Sequence, residues 1–237
     1  MFHAAYDSVY NHPGVAWVAT LAFVVALLSK RASPFFFAAL LVFAVEISCD
    51  AFFTSPTLPK SIEANKGFAT GLEILFVILG DYRYFVFVER FARAKSAPPS
   101  AFGSAIPWLL AVPWAFVVPL TWTAIYLTKV IDMQSDQVKF LVYELLFIGL
   151  AAVLRFVVVP LRVEKRETYV GRYLLRLTSF ELVQYMLWAL ADIVILGGTQ
   201  EPGYALRIVP NVMYYGAFLF FAWTTAPKEL RSQTPAP

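Results

Sequence analysis

Sulfur and imidazole ligands are almost missing from this chain of 237 residues: Cys49 is the single cysteine, and both histidines, His3 and His12, precede the first long apolar run. One cysteine cannot close an intramolecular disulfide, and two N-terminal histidines cannot build a histidine-rich iron or zinc centre inside a membrane. No glycine-rich phosphate loop stands outside the apolar segments, which removes P-loop chemistry. Charge is the scarcest class for a chain of this size. Asp, Glu, Lys and Arg make up 15% of residues against 59% apolar, whereas a soluble domain carries about 25% charge.

Long apolar runs take the place of charge. A bilayer core about 30 Å thick needs about 20 mostly apolar residues per helix, and seven segments meet this, at 13–29, 34–53, 67–88, 102–127, 139–161, 171–197 and 203–223. The expected fold is all-α, a polytopic membrane protein of seven transmembrane helices in a single membrane domain over 1–237. The first segment has its basic residues after the apolar run rather than before it, so it reads as a permanent helix and not as a cleaved signal peptide. Lys and Arg are enriched in short cytoplasmic loops. Here Lys30, Arg31, Arg90, Arg93, Lys95, Arg162, Lys165, Arg166, Arg172, Arg176, Lys228 and Arg231 fall on one side, and Lys60, Lys66, Lys129 and Lys139 on the other. This predicts the N-terminus outside, a cytoplasmic tail at 227–237, and a plasma membrane location, the inner membrane in a bacterium. The formal charge of +3 reflects that asymmetry and not a nucleic-acid surface. The lipid bilayer is the expected partner, nucleic acid is not, and oligomerisation is left open.

The chain repeats itself. "GFATGLEILFVILG" (Gly67 to Gly80) and "GYALRIVPNVMYYG" (Gly203 to Gly216) share an opening and a spacing 136 residues apart. At an offset of 135, Gly14 meets Gly149, Lys30-Arg31 meets Lys165-Arg166, and Glu46 meets Glu181. An internal duplication is expected, with repeat 1 at about 13–93, repeat 2 at about 139–226 and a linker helix at about 102–127. Three crossings per repeat would invert the second copy. The linker helix adds a crossing and makes the repeats parallel, in a 3+1+3 plan.

This plan resembles that of the SWEET sugar carriers, other PQ-loop transporters and the KDEL receptors, and microbial rhodopsins share the seven-helix, N-outside layout. The resemblance is one of architecture over the whole chain. The Pro-Gln dipeptide is absent, Pro160 being followed by Leu161, and the last helix has no lysine for retinal. The short stretch "DYRYF" is similar to the acidic-Arg-Tyr switch of animal receptors.

Function is sought in the polar residues that the apolar helices retain, because a charge in hydrocarbon costs about 3 kcal/mol or more and turns toward the bundle interior. At about 100° per residue, Glu181, Gln184, Tyr185, Trp188 and Asp192 share one helical face, as do Arg207, Asn211, Tyr214 and Phe218. Glu144, Arg155 and Arg162 line another helix, and Glu46 and Asp50 lie one turn apart. With Glu73, the expected cavity set is Glu46, Asp50, Glu73, Glu144, Glu181, Gln184, Asp192, Arg207 and Asn211, an acidic pocket opening outward. Asp81 and Arg155 are expected to pair as an inner gate. Glu46 and Glu181 are expected to be equivalent members of one central site, sharing a proton, Arg207 or a cationic ligand. The alternative for Asp50, Asp192 and Arg83 is snorkelling from helix ends to the interface. The repeated glycines read as places of close helix approach. Pro107, Pro113 and Pro119 predict kinks, and Trp108, Trp114 and Trp122 read as packing and interface anchors.

No cofactor and no metal are expected. The leading expectation is a protein that binds and moves a small solute through a central polar cavity, with proton coupling as an option, and the enzyme question is left open. The alternatives are a cofactor-free membrane enzyme using carboxylate acid/base chemistry on a lipid or isoprenoid, with Glu181 as proton donor, and a seven-helix ligand receptor or sensor.

Overall fold

The computed structural model describes residues 1–8, 11, 15, 16, 20, 21, 25, 32–53, 66–92, 105–163 and 168–231. Among them the fold is entirely helical, with no strand. The eight helices are α1 (Phe2–Tyr6), α2 (Pro34–Phe53), α3 (Lys66–Ala92), α4 (Ile106–Thr128), α5 (Asp136–Arg162), α6 (Tyr169–Leu196), α7 (Gln200–Thr225) and α8 (Lys228–Arg231). α2, α4, α5, α6 and α7 are each long and apolar enough to cross a membrane, the composition of a multi-pass membrane protein. The segment expected at 13–29 lies mostly outside the described residues. Within it Val15, Ala16, Thr20, Leu21 and Val25 are helical, and Ala16 joins the core.

α3 has the length of a span but carries Glu73, Asp81, Arg83 and Glu89 along it. Its position explains how such charge is tolerated. Tyr84, Phe85, Val86, Phe87 and Val88 are all buried, and five successive helical residues point to every side of the axis. α3 is therefore enclosed over this stretch, packed by α2, α4, α5 and α6. Phenylalanine rings fill the enclosure: Phe35 meets Phe91 and Phe36 meets Trp223 edge-on, Phe36 meets Phe87 at a tilt, and Phe43 stacks on Trp108. α4 is the least covered of the long helices. It continues through Pro113 and Pro119 without a break, so the expected kinks do not divide it.

Local sequence sets the boundaries. Ser135 caps α5 by accepting from the Val138 amide, and Thr168 caps α6 by accepting from the Gly171 amide. The α6–α7 turn runs through Gly198, whose φ of +88° favours glycine. Just beyond it, a Cβ at Gly203 would fall 2.3 Å from the Ile195 side chain and 3.1 Å from the Ala191 carbonyl. The two helices approach closely there because that side chain is absent.

Two helices widen into a π turn, α5 at Leu154–Val158 and α7 at Val212–Ala217. In α5 the turn precedes Pro160, which has no amide hydrogen to donate back along the helix and crowds the carbonyl four residues earlier. In α7 the wide turn lets Tyr214, Tyr215 and Gly216 all be buried in succession.

Candidate functional site

The centre of the bundle is organised around Arg83, only 1% exposed. Its guanidinium lies over the Tyr214 ring, 4.1 Å from the centroid, and over Phe218 at 5.1 Å, a cation–π arrangement. Nη1 is 3.7 Å from Glu46 Oε2 on α2. Glu181 on α6 and Asp50 on α2 also interact with it electrostatically. Arg83 reaches this position because Gly80, one turn back on α3, leaves room for Tyr214. A Cβ there would fall 1.7 Å from the Tyr214 oxygen, and that hydroxyl donates to the Phe76 carbonyl at 3.2 Å. The glycine repeat noted in the sequence thus marks, at Gly80, the seat of an aromatic side chain rather than a backbone contact.

Asp81 leaves α3 about 200° from Arg83 and meets other partners. Its two carboxylate oxygens accept hydrogen bonds from Tyr143 on α5 and Tyr185 on α6. The expected pair with Arg155 does not form; Arg155 Nη1 donates to the Leu175 carbonyl at 2.7 Å, where α5 and α6 touch. The physical reason is reach: two tyrosines from adjacent helices occupy both Asp81 oxygens, while Arg155 sits in the π turn of α5. An aromatic row, Phe147, Tyr185, Trp188 and Tyr214, connects the Asp81 partner Tyr185 to Tyr214 under Arg83, with centroid separations of 3.9, 5.2 and 5.4 Å along it.

A second cluster lies toward the α6–α7 turn. Arg207 grips Asp192 with Nε at 2.9 Å and Nη2 at 3.0 Å, and its Nη2 is 3.6 Å from Glu144 on α5. Nη1 donates to the Tyr6 hydroxyl at 3.4 Å, which brings α1 over this end of the bundle. Nearby, Trp188 Nε1 donates to Asn211 Oδ1 at 2.9 Å and links the two clusters.

The expected residues are therefore divided between two places. Glu46, Asp50 and Glu181 gather at Arg83, with Gln184 buried one turn from Glu181 on α6, whereas Glu144, Asp192 and Arg207 form the second cluster. Glu46 and Glu181 face a common cation, and it is Arg83, not Arg207. Asp50, Asp192 and Arg83 do not snorkel: they are 3%, 0% and 1% exposed. The side chain of Glu73 lies outside the described residues.

Sequence reasoning missed the central role of Arg83, the tyrosines on Asp81, and another buried acid, Glu89, which accepts from Arg162 at 2.5 Å and from Trp114 Nε1 at 2.8 Å. A signal for the first was present. Two charges two residues apart on a helix cannot share a face, so Asp81 and Arg83 together require a helix surrounded by protein.

Several polar groups at the centre have no hydrogen-bond partner: both oxygens of Glu46, Nε and Nη1 of Arg83, and both amide atoms of Gln184. The site is incompletely satisfied although almost wholly enclosed, and buried polar groups are paired as a rule. Among the described residues no three His, Cys, Asp or Glu side chains come together in a way that could hold a metal ion. No family model, curated protein or solved structure matches this chain.

Proposed function

We propose that this is a seven-helix plasma-membrane protein, in the inner membrane of a bacterium, that binds and carries a small solute through the polar centre of its bundle. In this reading α3 and the segment at 13–29 complete the seven spans. The two repeats run parallel in a 3+1+3 plan with α4 as the linker, and the N-terminus lies outside. Enclosure of Asp81 and Arg83 by neighbouring helices supports a transmembrane course for α3, because no charge on that stretch has to face lipid.

The topology is checked by labelling. With Cys49 replaced by Ser, a cysteine introduced at Ser61 is expected to react with an impermeant maleimide from outside, and one at Ser96 only after the membrane is opened. The reverse pattern overturns the orientation.

The observation that carries the carrier reading is that Glu46, Arg83 and Gln184 keep polar atoms without hydrogen-bond partners, with Glu181 one turn from Gln184 on α6, inside a shell of apolar side chains. A purely structural network gains most by satisfying every member. Unpaired donors and acceptors at the middle of a bundle suit a group that arrives and leaves. Purified protein in proteoliposomes, with a pH gradient across them, should accumulate a solute from a panel of amines, amino acids, sugars and organic acids. Glu181→Gln, which keeps shape and removes charge, should lower that uptake at least tenfold with thermal stability retained. Absence of uptake across the panel, combined with turnover of membrane lipid by the pure protein, would replace the carrier with the enzyme reading.

A further inference from the structure

The central site has a character that narrows what it could hold. Around one described cation, Arg83, stand four carboxyl groups: Glu46 at 3.7 Å, Asp50, Asp81 and Glu181. Asp81 is occupied by two tyrosine hydroxyls, Glu46 is the counter-charge of Arg83, and Asp50 has a further interaction of its own. Glu181 is left over. It is 4% exposed and, among the described residues, makes neither a hydrogen bond nor an ion pair, interacting with Arg83, Asp81, Tyr84 and Tyr185 through space.

One turn along the same face of α6, Gln184 is 1% exposed and its amide oxygen and nitrogen both lack partners. Tyr185, its neighbour, reaches Asp81 with its hydroxyl, so this face of α6 is directed at the centre. A free carboxylate and a free amide thus stand side by side, next to the ring of Trp188, in a region with more carboxylate than cation.

We propose that Glu181 and Gln184 bind the ammonium group of a small organic amine, with Trp188 and Tyr214 as the wall for its carbon chain. This names the solute class of the carrier reading and rests on that reading's site. A buried carboxylate with no partner favours a ligand that brings positive charge and N–H donors together. An anion would approach Arg83 past four carboxyl groups. A metal ion would need donors gathered at one point, whereas these are spread along the helix. Aromatic faces add attraction for an organic cation.

The test uses the full chain purified in detergent, with ethylammonium, butylammonium and 1,4-diaminobutane as probes. At least one should raise the melting temperature saturably and bind in calorimetry, and Glu181→Gln should weaken that binding at least tenfold. Gln184→Leu should weaken it less. Tetraethylammonium, which has charge but no N–H, and sodium chloride at equal ionic strength should do neither. Equal responses to all salts, unchanged binding in Glu181→Gln, or no saturable response to any of the three amines would each overturn the proposal. The same amines in proteoliposomes separate the two ideas: binding without uptake removes the carrier and keeps the site, and uptake of a sugar or acid without amine binding removes the ligand class and keeps the carrier.

Discussion

Arg83→Met should destabilise the protein by about 3–5 kcal/mol, the range seen when one partner of a buried ion pair is deleted. The substitution keeps much of the side-chain volume and takes away the one described cation near Glu46, Asp81 and Glu181. Thermal unfolding in detergent reads it directly, and a melting temperature equal to that of the unaltered protein would mean that the central cluster is not held by this charge. If Arg83→Met does not accumulate, two further variants keep the argument open to failure. Arg83→Lys retains the charge but cannot lay a flat guanidinium over Tyr214, so it should fold with a loss of about 1–2 kcal/mol. Arg83→Met combined with Glu46→Gln should recover part of the loss, because the carboxylate left without its partner is gone as well.

Arg207→Met should have the next largest effect, again about 3–5 kcal/mol, since it leaves Glu144 and the fully buried Asp192 facing each other with no cation among their described contacts. The loss should also reach α1, which Arg207 holds through the Tyr6 hydroxyl, so protease cleavage before Tyr6 should quicken. Adding Asp192→Asn should restore stability, and the double-mutant cycle measures the coupling. Strict additivity of the two substitutions would show that the Arg207–Asp192 ion pair carries no energy. Because Arg83 and Arg207 serve separate clusters, the two single losses should add.

How much of this was legible in the sequence differs from place to place. α2 begins and ends where the apolar run does, at Pro34 and Phe53, because its flanks change composition sharply. α3 runs past the expected end at residue 88 to Ala92. Glu89-Arg90 reads as a loop in a sequence, yet Arg162 and Trp114, far along the chain, satisfy Glu89 inside the bundle. The face of α6 bearing Glu181, Gln184 and Asp192 was readable from helical period alone, since periodicity tells which residues point together. What they point at depends on the rotation of the neighbouring helices, and period is silent on that. Hence the period places Glu181 on a face without naming the charge opposite it: the expectation offers Arg207 on α7, whereas the cation that interacts electrostatically with both Glu46 and Glu181 is Arg83 on α3. The tyrosines on Asp81 carried no charge and so gave no signal in a search for charges.

The wide turn at Val212–Ala217 in α7 has a consequence for how the chain tolerates change in length. A π turn amounts to one residue more than an α-helix of the same rise would hold, and each α-helical residue accounts for about 100° of rotation. Deleting a single residue there would let the helix close up as regular α with the segment beyond it turned little, because the wide turn already absorbs the rotation of the extra residue. Phe218, Leu219, Ala222 and Trp223, all inward now, would stay inward. A deletion in the regular α-helix on either side has no such slack and would turn everything beyond it by roughly a quarter of a revolution, so tolerance to a change in length is confined to the six residues that bring Tyr214 to Arg83.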